Sequence, residues 1–199
     1  GSSRSFVLLV VGASVMSGIA SGWQGIFQSV FGPVGLSNRA VSWMGFGNGL
    51  ASIIAQVSAG VLIDKCLRRR LKLGILVGLA GACVSTLWLT LQLPAFGHLA
   101  VFGRSEATLV TAVTLAGLFQ GLTAPLFYEL CAELTYPVTE GMSAGLLVLL
   151  LNASSGVLIL LNDYLMADSM NVIMAATFAA VLIVVMVGVR EEYRRPRDA

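Results

Sequence analysis

Two glutamates four residues apart are the pair in this chain that most suggests chemistry. If the segment around them is helical, Glu129 and Glu133 lie on one face of the helix, near its end. Two carboxylates held close together and partly out of water resist double ionisation, so one of them could bind a proton in the working pH range. Alternatively, both glutamates pair with basic residues, or with another part of the protein, and form a latch that holds a gate closed. This latch is the preferred interpretation.

Uncharged polar side chains inside apolar segments form a second group of candidates. Asn152 lies eleven residues beyond Gly141, or about 16 Å along a helix, close to the depth at which transporters bind substrate. Trp23 and Gln24 lie between two glycines, where a local break would expose both side chains. The alternatives are an interhelical hydrogen bond for Asn152 and a membrane-interface position for Trp23. The candidate substrate-binding residues are Asn152, Trp23 and Gln24, with Gln120, Asn48 and Gln56 as weaker candidates.

One enzyme-like motif and the only histidine point to no catalytic chemistry. Residues 141–145 read Gly-Met-Ser-Ala-Gly, which fits the nucleophile pattern of hydrolases, but that pattern needs a strand-to-helix turn and a nearby histidine. His98 is expected in a loop on the other side of a membrane, as a solvated residue without metal-binding neighbours. We therefore predict no enzyme activity, no metal and no cofactor, and no surface typical of nucleic-acid binding appears.

The elements that carry these residues are predicted by composition. Hydrophobic residues make up 57 % of the 199 positions and charged residues 11 %, against about 25 % charged in soluble domains. The chain contains six long uncharged runs, each long enough to cross a hydrocarbon core of about 30 Å as a helix. Period-two alternation, typical of membrane barrels, is absent. The predicted helices span residues 6–31, 40–63, 73–93, 107–131, 141–161 and 171–189.

Basic residues predict the orientation of these helices. If Arg4 is cytoplasmic, alternation leaves only Arg39 and Arg104 on the opposite side. The cytoplasmic set is Arg4, Lys65, Arg68, Arg69, Arg70, Lys72, Arg190, Arg194, Arg195 and Arg197. Because cytoplasmic loops carry the excess of Lys and Arg, both termini are predicted to be cytoplasmic.

The first basic cluster carries a recognisable motif. It reads Gly60-x-x-x-Asp64-Lys65-x-x-Arg68-Arg69-Arg70. This run resembles the cytoplasmic loop of the major facilitator superfamily that joins the second and third helices of each six-helix half. The resemblance implies that Gly60, Asp64, Arg68 and Arg69 latch one conformation of a rocking cycle. The alternative is a membrane anchor of positive charge with a terminal aspartate. The six helices would form one half of such a bundle, built as a 3+3 inverted repeat.

A second stretch narrows the resemblance. Residues 127–141 read Phe-Tyr-Glu-Leu-x-x-Glu-Leu-x-Tyr-Pro-x-x-Glu-Gly. They are similar to the stretch between the tenth and eleventh helices of the feline leukaemia virus subgroup C receptor family, which includes haem and choline transporters. The branch of lysosomal pyridoxine transporters disrupted in renal carcinoma is the most similar. Trp23, Trp43 and the run Leu71-Lys72-Leu73 support the match. The resemblance implies the carboxyl-terminal half of a transporter.

The expected function is transport of a small pyridoxine-like or choline-like solute by alternating access, with proton coupling less well supported. The expected partners are the solute, membrane lipid, and either an amino-terminal six-helix half or a second copy. The resemblance favours the lysosomal over the plasma membrane. The chain opens at Gly1 rather than Met, so a longer parent protein is expected. The alternatives are a non-transporting fragment or isoform that acts as a receptor or binds a partner, and a homodimeric half-transporter.

Overall fold

The computed structural model describes residues 2–67, 70–93, 105–165 and 167–191. Within these residues the protein is helical and has no strand, which confirms the prediction of an all-α protein. The elements are α1 (Ser2–Gly25), α2 (Phe27–Phe31), α3 (Asn38–Leu62), a π-helical segment (Ile63–Leu67), α4 (Leu71–Gln92), α5 (Glu106–Thr135), α6 (Glu140–Asn162) and α7 (Ala167–Gly188).

Six of these helices are long and apolar enough to cross a membrane. They are α1, α3, α4, α5, α6 and α7, and the candidate spans within them contain between 20 and 30 residues. At 1.5 Å per residue even 20 residues reach about 30 Å, the thickness of the hydrocarbon core. The prediction of six transmembrane helices is confirmed, and the bundle is consistent with half of a major facilitator protein.

The observed helix ends lie within four residues of the predicted ones, and the largest difference is a break in the first helix. The first predicted helix is interrupted at Ile26, so that α2 follows α1 as a separate short helix. In addition, α5 continues four residues past Cys131 to Thr135, whose hydroxyl donates to the Cys131 carbonyl oxygen over 3.0 Å. It ends at Tyr136 because a residue before proline disfavours helical geometry. Pro125 lies inside α5, which runs through it.

The packing of the bundle has a clear order. α5 packs against both α3 and α4, α1 packs against α6 and α7, and α4 packs against α7. The largest side chains that are fully buried between them are Trp23, Phe31, Phe127 and Phe178. α3 and α6 bury the smallest shares of their lengths and keep many apolar side chains exposed. In a protein surrounded by lipid, such exposed apolar faces carry no penalty.

Two helix crossings depend on glycine. A β-carbon at Gly121 of α5 would overlap the backbone of Ser52 on α3, and one at Gly18 of α1 would overlap the Leu151 carbonyl oxygen on α6. Membrane helices commonly approach closely at small residues, because packing replaces the hydrophobic effect as the force between them. These crossings bring α3 onto α5 and α1 onto α6.

The start of α4 and the end of α7 cap each other. The Lys72 amine donates to the carbonyl oxygens of Met186 (2.9 Å) and Val189 (2.7 Å), which lie at the end of α7. The Glu191 carboxylate accepts the backbone N–H of Lys72 at the start of α4. A lysine at a helix C-terminus and a carboxylate at an N-terminus are each favourable to the helix dipole. Next to them, the Arg190 backbone N–H donates to the Ser5 hydroxyl over 3.1 Å.

Candidate functional site

A cavity of about 290 Å³ lies between α1, α3, α5 and α6. Its apolar lining residues include Phe127 and Leu147, and none of the described residues that line it is charged. The polar lining residues are Ser14, Ser17, Ser21, Gln24, Ser52, Gln56, Gln120 and Tyr128. A cavity of this size with convergent hydroxyl and amide groups is typical of a site for a small organic molecule.

One wall of the cavity is a polar stripe on α1. Ser14, Ser17, Ser21 and Gln24 follow one another at steps of three and four residues, which places them on a single helix face. The three serines were not predicted as site residues, because only amide and aromatic side chains were considered as candidates for binding. The spacing of the serines was the available signal, since a run of hydroxyls on one face of an apolar helix indicates a polar neighbour or a cavity.

Two glutamines meet across the cavity. The Gln24 Nε2 atom donates to the Gln120 Oε1 atom over 3.3 Å. Gln120 is only 7 % exposed, and its Nε2 atom has no hydrogen-bond partner among the described residues. A buried donor without an acceptor costs about 1–3 kcal/mol. A solute that offers an acceptor atom to this amide would remove that cost, so the pair is suited to bind a polar molecule.

Trp23 does not line the cavity. Its side chain is fully buried, and its ring Nε1–H donates to the Asn171 Oδ1 atom on α7 over 2.9 Å. The ring makes edge-to-face contacts with Phe27 and Phe31, at centroid distances of 4.4 and 5.9 Å. Trp23 therefore packs in the core and holds α1 to α7, with neither ring face presented to the cavity or to the membrane interface.

The two asparagine candidates also lie outside the cavity lining. Asn48 is fully buried, and its Nδ2 atom donates to the Val113 carbonyl oxygen over 2.7 Å, which links α3 to α5. Asn152 is exposed on α6 and donates to the Val148 carbonyl oxygen of the same helix over 2.8 Å. The structure thus brings Gln24, Gln56 and Gln120 together and places Trp23, Asn48 and Asn152 elsewhere.

Two of the candidate gating residues, Glu129 and Glu133, lie near the end of α5 that is opposite the cap at Ser105. Glu129 and Glu133 are half-buried, and both have interaction partners. Gly60 lies near the end of α3, where a β-carbon would meet no described atom within 4 Å, so no described part of another helix approaches closely there. Arg68, Arg69 and the side chain of Asp64 lie outside the described part of the chain, as does His98.

The serine of the hydrolase-like motif lies in the first turn of a helix. The Ser143 hydroxyl donates to the Glu140 carbonyl oxygen over 3.0 Å, within α6. A nucleophile of that class would instead lie on a sharp turn between a strand and a helix. The local geometry around Ser143 is therefore that of an ordinary helix start.

Comparison with known proteins gives sequence relatives and no matching family model. The chain is 32 % identical over 160 residues to a solute carrier family 49 member 4 homolog from Xenopus tropicalis. It is 33 % identical over 159 residues to the protein of the same name from Xenopus laevis. The alignments cover 80 % and 79 % of this chain but 34 % of each relative. The chain therefore spans about a third of the length of the curated relatives it matches.

Proposed function

Because this chain is a homologue of solute carrier family 49 proteins, in the feline leukaemia virus subgroup C receptor-related branch of the major facilitator superfamily, we propose that it is one half of a membrane transporter. It forms a wall of the pathway by which a small organic solute crosses the membrane by alternating access. The observation that carries this proposal is the uncharged polar cavity between α1, α3, α5 and α6.

The position of the cavity supports the need for a second wall. The two helices at its flanks, α3 and α6, expose apolar side chains such as Ile53 and Leu149, which are 60 % and 66 % exposed. A second six-helix body placed there would cover these faces and close the cavity. The resemblance of residues 127–141 supports the amino-terminal half of the same protein over a second copy as this body, with the present chain as the carboxyl-terminal half.

The lining of the cavity favours a neutral, hydroxyl-rich solute. Its hydroxyl and amide groups match a molecule such as pyridoxine, which carries hydroxyls and a pyridine nitrogen able to accept from the Gln120 amide. A quaternary ammonium such as choline prefers open aromatic faces. Trp23, the aromatic residue that we expected to supply such a face, is packed in the core, which leaves Phe127 and Tyr128 as the described aromatic residues of the lining. Pyridoxine-like solutes are therefore proposed first and choline-like solutes second.

Uptake of labelled solutes tests the proposed function. We expect membrane vesicles, prepared from the lysosomal membranes of cells that express the full-length protein, to take up radiolabelled pyridoxine in a saturable way, with competition by unlabelled pyridoxine and little competition by choline. The cavity offers hydrogen-bond donors and acceptors to pyridoxine, whereas its described lining has no carboxylate to pair with the positive charge of choline. Preferential uptake of choline would reverse the proposed order, and uptake of neither would refute this assignment of substrate class.

The lysosomal membrane, with both termini in the cytoplasm, is the proposed location.

The glutamate pair gives a separate prediction about pH. We expect the double substitution Glu129→Gln and Glu133→Gln to change the uptake rate several-fold at every pH, because it removes charged partners from a gate at the end of α5. The shape of the pH profile should stay as in the wild type. Glu106→Gln is the matched control, since it makes the same change at the exposed opposite end of α5. A profile that becomes flat only in the double variant would favour proton coupling through this pair over the latch.

A further inference from the structure

Three exposed arginines from distant parts of the sequence meet at one corner of the bundle. Arg4 lies in the first turn of α1, Arg70 directly precedes α4, and Arg190 follows α7. Hydrogen bonds join the three segments beside these arginines. The Arg190 backbone N–H donates to Ser5, the neighbour of Arg4, and the Lys72 amine donates to Val189, the neighbour of Arg190.

Among the described residues, this corner carries more positive than negative charge. Within the described residues, none of the three arginine side chains forms an ion pair. The adjacent carboxylate, on Glu191, accepts the backbone N–H of Lys72. α1 begins at this corner, so the positive end of its dipole adds to the field, whereas the start of α4 is capped by the Glu191 carboxylate. The negative end of α7 is covered by the Lys72 amine.

Apolar side chains lie one turn deeper on the same three helices. Val7 on α1, Leu73 on α4 and Val187 on α7 are 54 %, 49 % and 77 % exposed. Each lies three residues from the arginine of its own segment, on the side toward the middle of the membrane-spanning helix. The corner therefore presents cations at the level of the headgroups and an apolar surface beneath them.

We propose that this corner binds the phosphate headgroup of an acidic membrane lipid. Arginine forks bind phosphate oxygens in pairs, and each basic residue near an anionic leaflet strengthens binding. The apolar surface beneath the cations fits the acyl chains of a lipid and would be without a role for free phosphate. α4 and α7 contribute no residue to the solute cavity, so a second six-helix body over the cavity would leave this corner in contact with lipid.

Thermal unfolding of the full chain in neutral detergent tests the site. Added phosphatidylserine should raise the unfolding temperature, whereas phosphatidylcholine should not. Arg190→Gln and Arg4→Gln should each weaken the apparent affinity for phosphatidylserine about fivefold, with a larger loss when both are combined. Both substitutions keep the backbone hydrogen bond to Ser5. Without lipid, each variant should unfold at the wild-type temperature, which shows that the fold is intact.

A matched control separates the corner from general attraction between charges. Arg39→Gln removes the same charge at the start of α3, which lies at the opposite membrane face because α1 and α3 run in opposite directions. It should leave the phosphatidylserine effect unchanged. An equal loss in Arg39→Gln would refute the site. Equal stabilisation by soluble glycerophosphoserine or inorganic phosphate would show that the corner binds a free phosphate group and that the proposal of a lipid is wrong.

Discussion

Gln120→Leu is expected to reduce solute uptake by about ten- to a hundredfold while the protein stays folded. The substitution keeps a side chain of similar size at a position that is almost completely buried. It removes the free Nε2 donor in the cavity and leaves the Gln24 amide without its partner. A lost hydrogen bond together with an unpaired polar group costs about 1–3 kcal/mol, and each 1.4 kcal/mol corresponds to a factor of ten. Initial rates of labelled pyridoxine uptake, normalised to protein at the membrane, measure the effect.

Two further variants locate the site. Gln28→Leu makes the same chemical change in α2, on an exposed residue outside the cavity lining, and should keep wild-type uptake. Asn152→Leu replaces the exposed amide of α6. If Asn152→Leu stops uptake and Gln120→Leu does not, the solute binds on the outer face of α6 and the cavity is not its site.

Gly121→Ala causes the largest expected loss of stability for a change of one methyl group. The added β-carbon would overlap backbone atoms of Ser52, which cannot rotate away as a flexible side chain would. α3 and α5 must therefore separate along their crossing. Overpacking of this kind costs about 1–3 kcal/mol. The same shift would move Ser52, which lines the cavity together with Gly121, so uptake should fall with stability.

Gly49→Ala is the control for this change. Gly49 lies on α3, the other helix of the same pair, and a β-carbon there would meet no atom within 4 Å. Alanine is favoured over glycine in helices by about 1 kcal/mol, so this variant should be neutral or slightly more stable. Unfolding temperatures of the purified proteins in one detergent give the comparison. A similar loss in both variants would mean that the α3–α5 crossing is not the cause.

The helices could be predicted from the sequence because lipid imposes a simple rule on them. Long uncharged runs such as 40–63 and 73–93 must satisfy their backbone groups internally. The observed helices Asn38–Leu62 and Leu71–Gln92 each begin two residues before the start of the predicted run and end one residue before its last residue. The break at Ile26 directly follows residues 22–25, the segment in which a local break was considered, but the small and polar residues there do not fix its exact position.

The polar side chains were harder to interpret than the helices that carry them. A polar atom inside the membrane needs a hydrogen-bond partner, but the sequence does not say whether that partner is a solute or another helix. Asn48 bonds to a carbonyl 65 positions away, and Trp23 bonds to an asparagine 148 positions away. Gln24 and Gln120 looked no different in the sequence, yet they face the cavity. Only the packing of α1, α3 and α5 distinguishes the two groups.

The reciprocal caps at Lys72 and Glu191 limit how the bundle can move. Sliding α4 along α7 would break three hydrogen bonds together, because the lysine amine and amide both bind at the same junction. We therefore expect α4 and α7 to move as one rigid pair, relative to which the remaining helices turn. Any rearrangement that widens or narrows the cavity must then be absorbed by α1, α3, α5 and α6, and their close glycine crossings become the pivots of that motion.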